Sequence, residues 1–279
     1  MASKLVILGF NNVLFDPIRG LWEEARTALS ELFLEQIPVV LWSSLTRAEA
    51  VYYRAQFGLR DPFVVENGAA LFVPLGYFDF DVSAQQTGGY EFWKFGLSTS
   101  ELLTEMEPEF QRKSMPLRFI GDFTAEELGQ LYALPSHLAD LKQQREFSLG
   151  VTTAPYHEEV WQMEFSEIAR RKDCHLYFDG VFHFFQKRVA PARTFETLVR
   201  FFEQEMGRRP VVTAVGGSEQ DVDFLRLADV PIWLENDRPV SESSSPFPKI
   251  VRPAGKGPAA WREVVTEILN HSRVNGNEA

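Results

Sequence analysis

Apolar residues come in short unbroken runs separated by longer amphipathic stretches, the alternation expected of strands and crossover helices around a parallel sheet. Leu5 to Leu8 is a continuous apolar run close to the N-terminus and reads as a strand buried on both faces. It breaks at Gly9-Phe10-Asn11-Asn12, where the chain must turn at the carboxyl end of the strand, the place where open α/β sheets bind ligands. Leu21, Ala25, Ala28, Leu29, Leu32 and Phe33 then recur at helical spacing, with charges on the other face. Ile37 to Trp42 reads as a second buried strand, its proline at the entry where a missing N–H costs least. Ser43-Ser44-Leu45-Thr46 leads into a helix over 47–57. Two short hydroxyls before a helix N-terminus suit either an anion site or plain N-capping. Asp61 to Val65, Glu66-Asn67-Gly68 and Ala69 to Pro74 read as strand, Asn-Gly turn and returning strand. The plan to this point is β-α-β-α-β-β.

Around residues 83–90 the composition shifts to Gln-Gln-Thr-Gly-Gly, which suggests a hinge into a second domain. Strand-like and helical pieces mix there: 90–97, a helix over 99–110, Arg118-Phe119-Ile120, and a helix opened by Thr124 with an acidic first turn. A further helix is expected over 137–144, another over 158–171, and a strand over 174–178. This order suggests an inserted α+β unit and not a second doubly wound core. The chain is expected to re-enter the first domain near 181–185. The expected division is therefore a core of residues 1–83 and 184–279 with an insertion over 84–183. A helix over 192–206, a buried strand Pro210 to Val215 ending in Gly216-Gly217, and a last helix over 259–269 complete the core. Residues 241–246 read as a polar loop and 270–279 as a frayed tail.

Composition narrows the function more than the fold. The 279 residues are 45% hydrophobic and 24% charged, as in a globular protein with a sizeable core. Net charge is −11, a field that repels nucleic acid and anionic membrane, so neither is an expected partner. The 24 phenylalanines suggest either core packing or an apolar contact surface. The one cysteine, Cys174, excludes an intramolecular disulfide and multi-thiolate zinc sites, and reads as a buried small hydrophobe. No run approaches the roughly 18 apolar residues of a spanning helix, and no signal segment opens the chain. A cytoplasmic protein is expected.

The stretch Gly9-Phe10-Asn11-Asn12-Val13-Leu14-Phe15-Asp16 resembles the first motif of the haloacid-dehalogenase (HAD) phosphatase superfamily. In that motif a buried strand delivers two aspartates one residue apart. The first attacks phosphorus, the second handles the leaving-group proton, and both hold or adjoin Mg²⁺. Here Gly9 stands at the nucleophile's position, Asn11 at the acid/base, and Asn12 at the following glycine. The likeness narrows with Ser43-Ser44-Leu45-Thr46-Arg47-Ala48-Glu49, Tyr52-Tyr53-Arg54, Asp61-Pro62-Phe63, Glu66-Asn67-Gly68-Ala69-Ala70, Gly76-Tyr77-Phe78 and Gln144-Arg145-Glu146-Phe147. These are similar to the mannosyl-3-phosphoglycerate phosphatases, Leu45 replacing a lysine. The resemblance runs almost the whole chain. It implies an α/β, Rossmann-like HAD core with a parallel sheet and an inserted α+β cap of the larger type (C2B, subclass IIB) between the second and third motifs.

The remaining motifs divide. The second-motif hydroxyl matches Ser44 best, with Ser43 beside it. The third-motif lysine falls on Ala190, with Lys187 and Arg188 a few residues early. The fourth motif, Gly-Asp-Ser-x-Asn-Asp in the family, reads Gly216-Gly217-Ser218-Glu219-Gln220-Asp221, leaving Asp221 as the one candidate metal ligand. Glu219 and Asp223 read as solvated helix-start acids. Glycine offers no nucleophile, and asparagine cannot exchange a proton as a carboxyl does. With Gly9, Asn11, Ala190 and Gly217 at the catalytic positions, the expectation is a phosphatase-fold protein without the family activity. No cofactor is then expected, Mg²⁺ belonging only to a retained family activity. Ser43, Ser44, Thr46, Arg47, Glu66, Asn67, Gln144 and Arg145 remain as a candidate rim for a phosphorylated sugar or glycerate. Arg145 could read a carboxylate or phosphate bidentately, or be held in an ion pair with Glu146 or another acid. The alternatives are a protein partner on a phenylalanine-rich surface, residual phosphatase action on a sugar phosphate such as mannosyl-3-phosphoglycerate, or a relocated nucleophile at Asp16 or His183.

Overall fold

The computed structural model describes residues 3–16, 20–21, 23–153, 158–235 and 250–270. The loop expected over 241–246 lies outside the described residues, as does the tail expected over 270–279 except for Asn270, which ends the last helix. The chain runs through β1 (Lys4–Leu8), β2 (Phe15–Asp16), β3 (Gly20–Leu21), α1 (Glu23–Leu34), β4 (Val39–Trp42), α2 (Arg47–Phe57), β5 (Phe63–Val65), β6 (Ala70–Pro74), β7 (Gln85–Thr87) and β8 (Tyr90–Lys94). It continues with α3 (Thr99–Arg112), β9 (Arg118–Phe119), α4 (Ala125–Tyr132), α5 (Ser136–Gln143), β10 (Leu149–Thr152), α6 (Glu158–Arg171), β11 (Cys174–Phe178) and β12 (His183–Lys187). It ends with α7 (Pro191–Met206), β13 (Val211–Gly216), α8 (Val222–Leu225), β14 (Val230–Trp233) and α9 (Trp261–Asn270).

Two compact units result: residues 1–44, 53–93 and 191–279, and residues 45–52 and 94–190. The first is built on an eight-stranded sheet of order β14-β13-β1-β4-β5-β6-β8-β7. β1 is central and pairs in parallel with β13 and β4; β5 continues the parallel set and β6 turns back antiparallel. Leu5 to Leu8 are fully buried, as a strand covered on both faces requires. The register sets Leu8 opposite both Val215 and Leu41. The residues that follow these strands therefore emerge at one sheet edge.

The second unit is an antiparallel sheet of order β11-β12-β10-β9. One apolar cluster joins Leu102, Met106 and Phe110 of α3 and Phe165 and Ile168 of α6 to Leu149, Val151 and Phe185. A second joins Leu128 of α4 and Ala139 of α5 to Ile120, Phe123, Phe182 and Phe184. Alternation along β12 explains the split, since neighbouring side chains leave a strand on opposite faces. Phe182, Phe184 and Phe185 are thus core residues and supply no contact surface. Cys174 is buried as expected, and burial pushes its thiol up to about 11, which leaves it inert as a nucleophile.

Both domain boundaries differ from the sequence expectation. The Gln-Gln-Thr-Gly-Gly stretch is the turn region of the β7–β8 hairpin, which extends the first sheet. The strand His183–Lys187 pairs with β10 and β11 inside the second unit, so a division between 183 and 184 would cut a paired strand. Among the described residues no helix is long and apolar enough to cross a membrane.

Phe185 packs edge-on against Phe110 and Phe165 and is wholly buried. Phe185→Ala is expected to cost about 3–5 kcal/mol in urea unfolding. Leu34→Ala, at a side chain 84% exposed, is expected to stay within about 0.5 kcal/mol of wild type.

Candidate functional site

The site is built where β1, β13 and β4 end together. After Leu8 the chain passes Gly9, whose N–H donates to Val215 O at 2.8 Å, and turns tightly so that Leu14 N and Phe15 N both return to Phe10 O. Asn12 takes the left-handed conformation at φ 60°, donates its N–H to Phe15 O at 2.7 Å and its Nδ2 to Gly217 O at 3.0 Å. Trp261 of α9 clamps the same turn, its indole N–H donating to Val13 O at 2.9 Å. The turn is thus held from three sides by directional bonds.

Beyond β13, Asp221 folds back over its own loop. Its Oδ2 accepts from Gly217 N and Ser218 N at 2.9 Å and from Ser218 Oγ at 2.8 Å. This is a Ser-x-x-Asp cap for the 3₁₀ turn Glu219–Asp221. Burial is the largest influence on the carboxyl and pushes it up to about 6, against the pull of those donors. The carboxylate also lies beside Gly9: a Cβ at position 9 would stand 2.7 Å from its carbon and from both its oxygens.

Mg²⁺ asks for oxygen ligands in near-octahedral array, usually including one or two carboxylates. At this edge Gly9 and Gly217 have no side chain, Asn11 is neutral, and the Asp221 oxygen nearest the loop already serves three donors. No group of three or more His, Cys, Asp or Glu side chains among the described residues could hold a metal ion. The residues present do not fit the ion.

At the end of β4, Ser43 is 4% exposed, and its hydroxyl has no hydrogen-bond partner among the described residues. Its backbone is tied on both sides, N–H to Val64 O at 3.1 Å and O from Asn67 N at 2.9 Å. Ser44 follows, half-buried. Glu66, Asn67 and Gly68 all have positive φ, and the buried Glu66 turns the chain between β5 and β6 at a cost of order 1 kcal/mol for each non-glycine residue. A Cβ at Gly68 would lie 3.1 Å from the Trp42 ring, and Thr194 Oγ1 fixes Gly68 O at 2.8 Å. Ser43, Glu66 and Asn67 therefore form one bonded corner of the first unit.

In the second unit the helix start at Thr46 is capped reciprocally. Thr46 N donates to Glu49 Oε2 at 2.9 Å, and Glu49 N to Thr46 Oγ1 at 3.0 Å. Of the residues before α2, Thr46 provides the N-cap. Arg145, its side chain 5% exposed, stands with Nη2 3.8 Å from Glu49 Oε2 and its guanidinium 4.8 Å over the Phe184 ring. Arg47 pairs with Glu146 at 2.7 Å, and Gln144 donates to Asp140 at 3.0 Å. The acid facing Arg145 is Glu49. Ala190 is exposed. The cations before it serve the second unit: Lys187 binds Glu105 and Lys172 O, and Arg188 pairs with Asp173. His183 is buried between the Phe165 and Phe178 rings, a packing position.

No family model matches the chain. A glucosyl-3-phosphoglycerate/mannosyl-3-phosphoglycerate phosphatase of Persephonella marina is 29% identical over 252 residues, 89% of this chain and 91% of the relative. A mannosyl-3-phosphoglycerate phosphatase of Pyrococcus furiosus is 34% identical over 153 residues, 54% of this chain and 58% of the relative. Among solved structures, a haloacid dehalogenase-like hydrolase from Bacteroides thetaiotaomicron matches with TM-score 0.65 and 11% identity, covering 96% of this chain and 99% of that one. A HAD subclass IIB sugar phosphatase matches with TM-score 0.61 and 12% identity, covering 97% and 99%. The fold is that of the HAD subclass IIB phosphatases, and the sequence resembles the mannosyl-3-phosphoglycerate phosphatases.

The raised Asp221 carboxyl sets a pH dependence. The folded protein holds this proton more tightly than the unfolded chain, so the folded state binds more protons between about pH 4 and pH 6. The contribution of this group is full below that window and is lost as pH rises through it, by up to roughly 3 kcal/mol. Asp221→Asn keeps an acceptor oxygen and has no charge to bury. Urea unfolding of this variant across pH 4–7 is expected to lack that decline.

Proposed function

We propose that this chain is a HAD-fold pseudoenzyme: it does not hydrolyse phosphate esters by the aspartate route and keeps a binding role toward a phosphorylated sugar or glycerate. Position 9 carries the reading. Glycine supplies no atom to attack phosphorus, and the space beside it holds the Asp221 carboxylate. Phosphoryl transfer draws its rate from positioning and from cancelling negative charge. With Asn11, Ala190 and Gly217 also neutral, nothing at these positions anchors the cation that would do the cancelling. The ligand class is supported by the likeness to phosphatases of glucosyl- and mannosyl-3-phosphoglycerate. Ser43 is the strongest candidate contact in the first unit, because its buried hydroxyl has a hydrogen bond to give. Ser44, Glu66 and Asn67 neighbour it in sequence or through the bonded corner. Arg145 and Arg47 are candidates only by exchanging their present acids for a ligand carboxylate or phosphate.

One finding favours a second reading, residual phosphatase activity: a relative spanning nine-tenths of the chain bears a phosphatase name. The two separate by experiment. Incubated with mannosyl-3-phosphoglycerate or glucosyl-3-phosphoglycerate, the purified chain is expected to release no phosphate above blank, with or without Mg²⁺. Its melting temperature is expected to rise with at least one member of a panel of phosphorylated sugars and glycerates. Mg²⁺-dependent phosphate release would replace the first reading by the second. Silence across the panel would remove the ligand and leave a fold used as a surface for a protein partner.

A further inference from the structure

We infer that the two loops at the strand tips have repacked into a closed joint, in which the residues facing Gly9 and Gly217 use the space that metal-binding side chains there would need. The inference concerns packing inside the first unit and is independent of which ligand the proposed function names.

Position 217 makes the case. A Cβ there would stand 2.9 Å from Asn12 Cβ, 2.9 Å from Asn12 O and 3.1 Å from its carbonyl carbon. Two of these atoms are backbone, and Asn12 cannot simply recede. Its left-handed turn is fixed by the bond to Phe15 O, and its amide is fixed by the bond to Gly217 O. In the pattern this sequence resembles, position 12 is glycine and position 217 aspartate; here the side chain has changed sides. The two substitutions are reciprocal halves of one packing solution.

Position 9 repeats the theme with another partner. A side chain there would meet the whole Asp221 carboxylate at 2.7 Å, and moving that carboxylate means breaking its three hydrogen bonds. Gly216 closes the far side, since a Cβ on it would meet Asp221 Cβ at 2.7 Å and Leu225 Cδ1 at 2.8 Å. Crowding under 3 Å also occurs at Gly129, Gly150 and Gly255, whereas Gly20, Gly76, Gly121 and Gly207 have nothing within 4 Å of an added Cβ; what sets the strand tips apart is that three crowded glycines meet there. It follows that returning single carboxylates to positions 9 or 217 would not rebuild a cation site.

The test is a double-mutant cycle on Asn12→Gly and Gly217→Ala, read by urea unfolding of the full chain. Alanine adds only the Cβ. In the wild-type background Gly217→Ala is expected to lower the folding constant about tenfold or more. In the Asn12→Gly background the loss is expected to shrink by at least threefold, because the substitution removes the Cβ contact and the Nδ2 bond to Gly217 O that holds the Asn12 backbone against position 217. Shrinkage smaller than threefold would overturn the inference. Should Gly217→Ala fold in neither background, calorimetric titration of the wild-type protein with MnCl₂ and with MgCl₂ decides. No saturable binding supports the closed joint; saturable binding that Asp221→Asn abolishes overturns it.

Discussion

The parallel alignment of β1 between β13 and β4 is the constraint on which the rest depends. Leu8 faces Val215 on one side and Leu41 on the other, so three chain segments leave the sheet within a few ångströms of one another. Whatever chemistry this edge has is decided by the first residues past the strands. Here they are Gly9, Gly217 and Ser43, and they bring backbone amides, one buried hydroxyl and no anion. The strand ends have the fold of the HAD subclass IIB phosphatases, and the first side chains past them carry no charge.

A loop that gives up charged side chains must still satisfy its backbone. The amides of Gly217 and Ser218 point inward, and unpaired they would cost about 1–3 kcal/mol each. Asp221 meets both with a single oxygen and takes the Ser218 hydroxyl as well. Its carboxyl is correspondingly buried, which raises the cost of its charge. Asp221, the one candidate metal ligand that the sequence offered, is in this chain an internal acceptor for its own loop.

The strands of the first unit were the most legible feature of the sequence, because Leu5–Leu8 and Val39–Trp42 are unbroken apolar runs and Val211–Val215 is interrupted only by Thr213. The helices followed from spacing, and the cap at Thr124 from its Ser/Thr-x-x-Glu signature, which the bonds from Thr124 to Glu127 realise. Less was visible where elements are short or interrupted: β10 contains Gly150, β14 contains Pro231, and neither carries a clear alternation. Composition misplaced the hinge, since Gly88-Gly89 serves a hairpin turn as readily as a linker. Of the site, sequence could name Gly9, Asn11 and Gly217 by position alone. It could not reveal that Asp221 bonds inward, although Ser218-x-x-Asp221 is a capping signature, nor that Arg145 and Glu49 face each other, because they meet only in the folded second unit.

The order of strands has a consequence for how the molecule is made. β1 has β4 as a neighbour early, but its other partner, β13, lies beyond the entire second unit in sequence. The inserted unit draws its sheet from one continuous stretch and can close while the ribosome is still at work. The first unit waits, with one flank of its central strand bare, until the C-terminal third is synthesised. The sheet that carries the site can therefore be completed only after every strand of the inserted unit has been made.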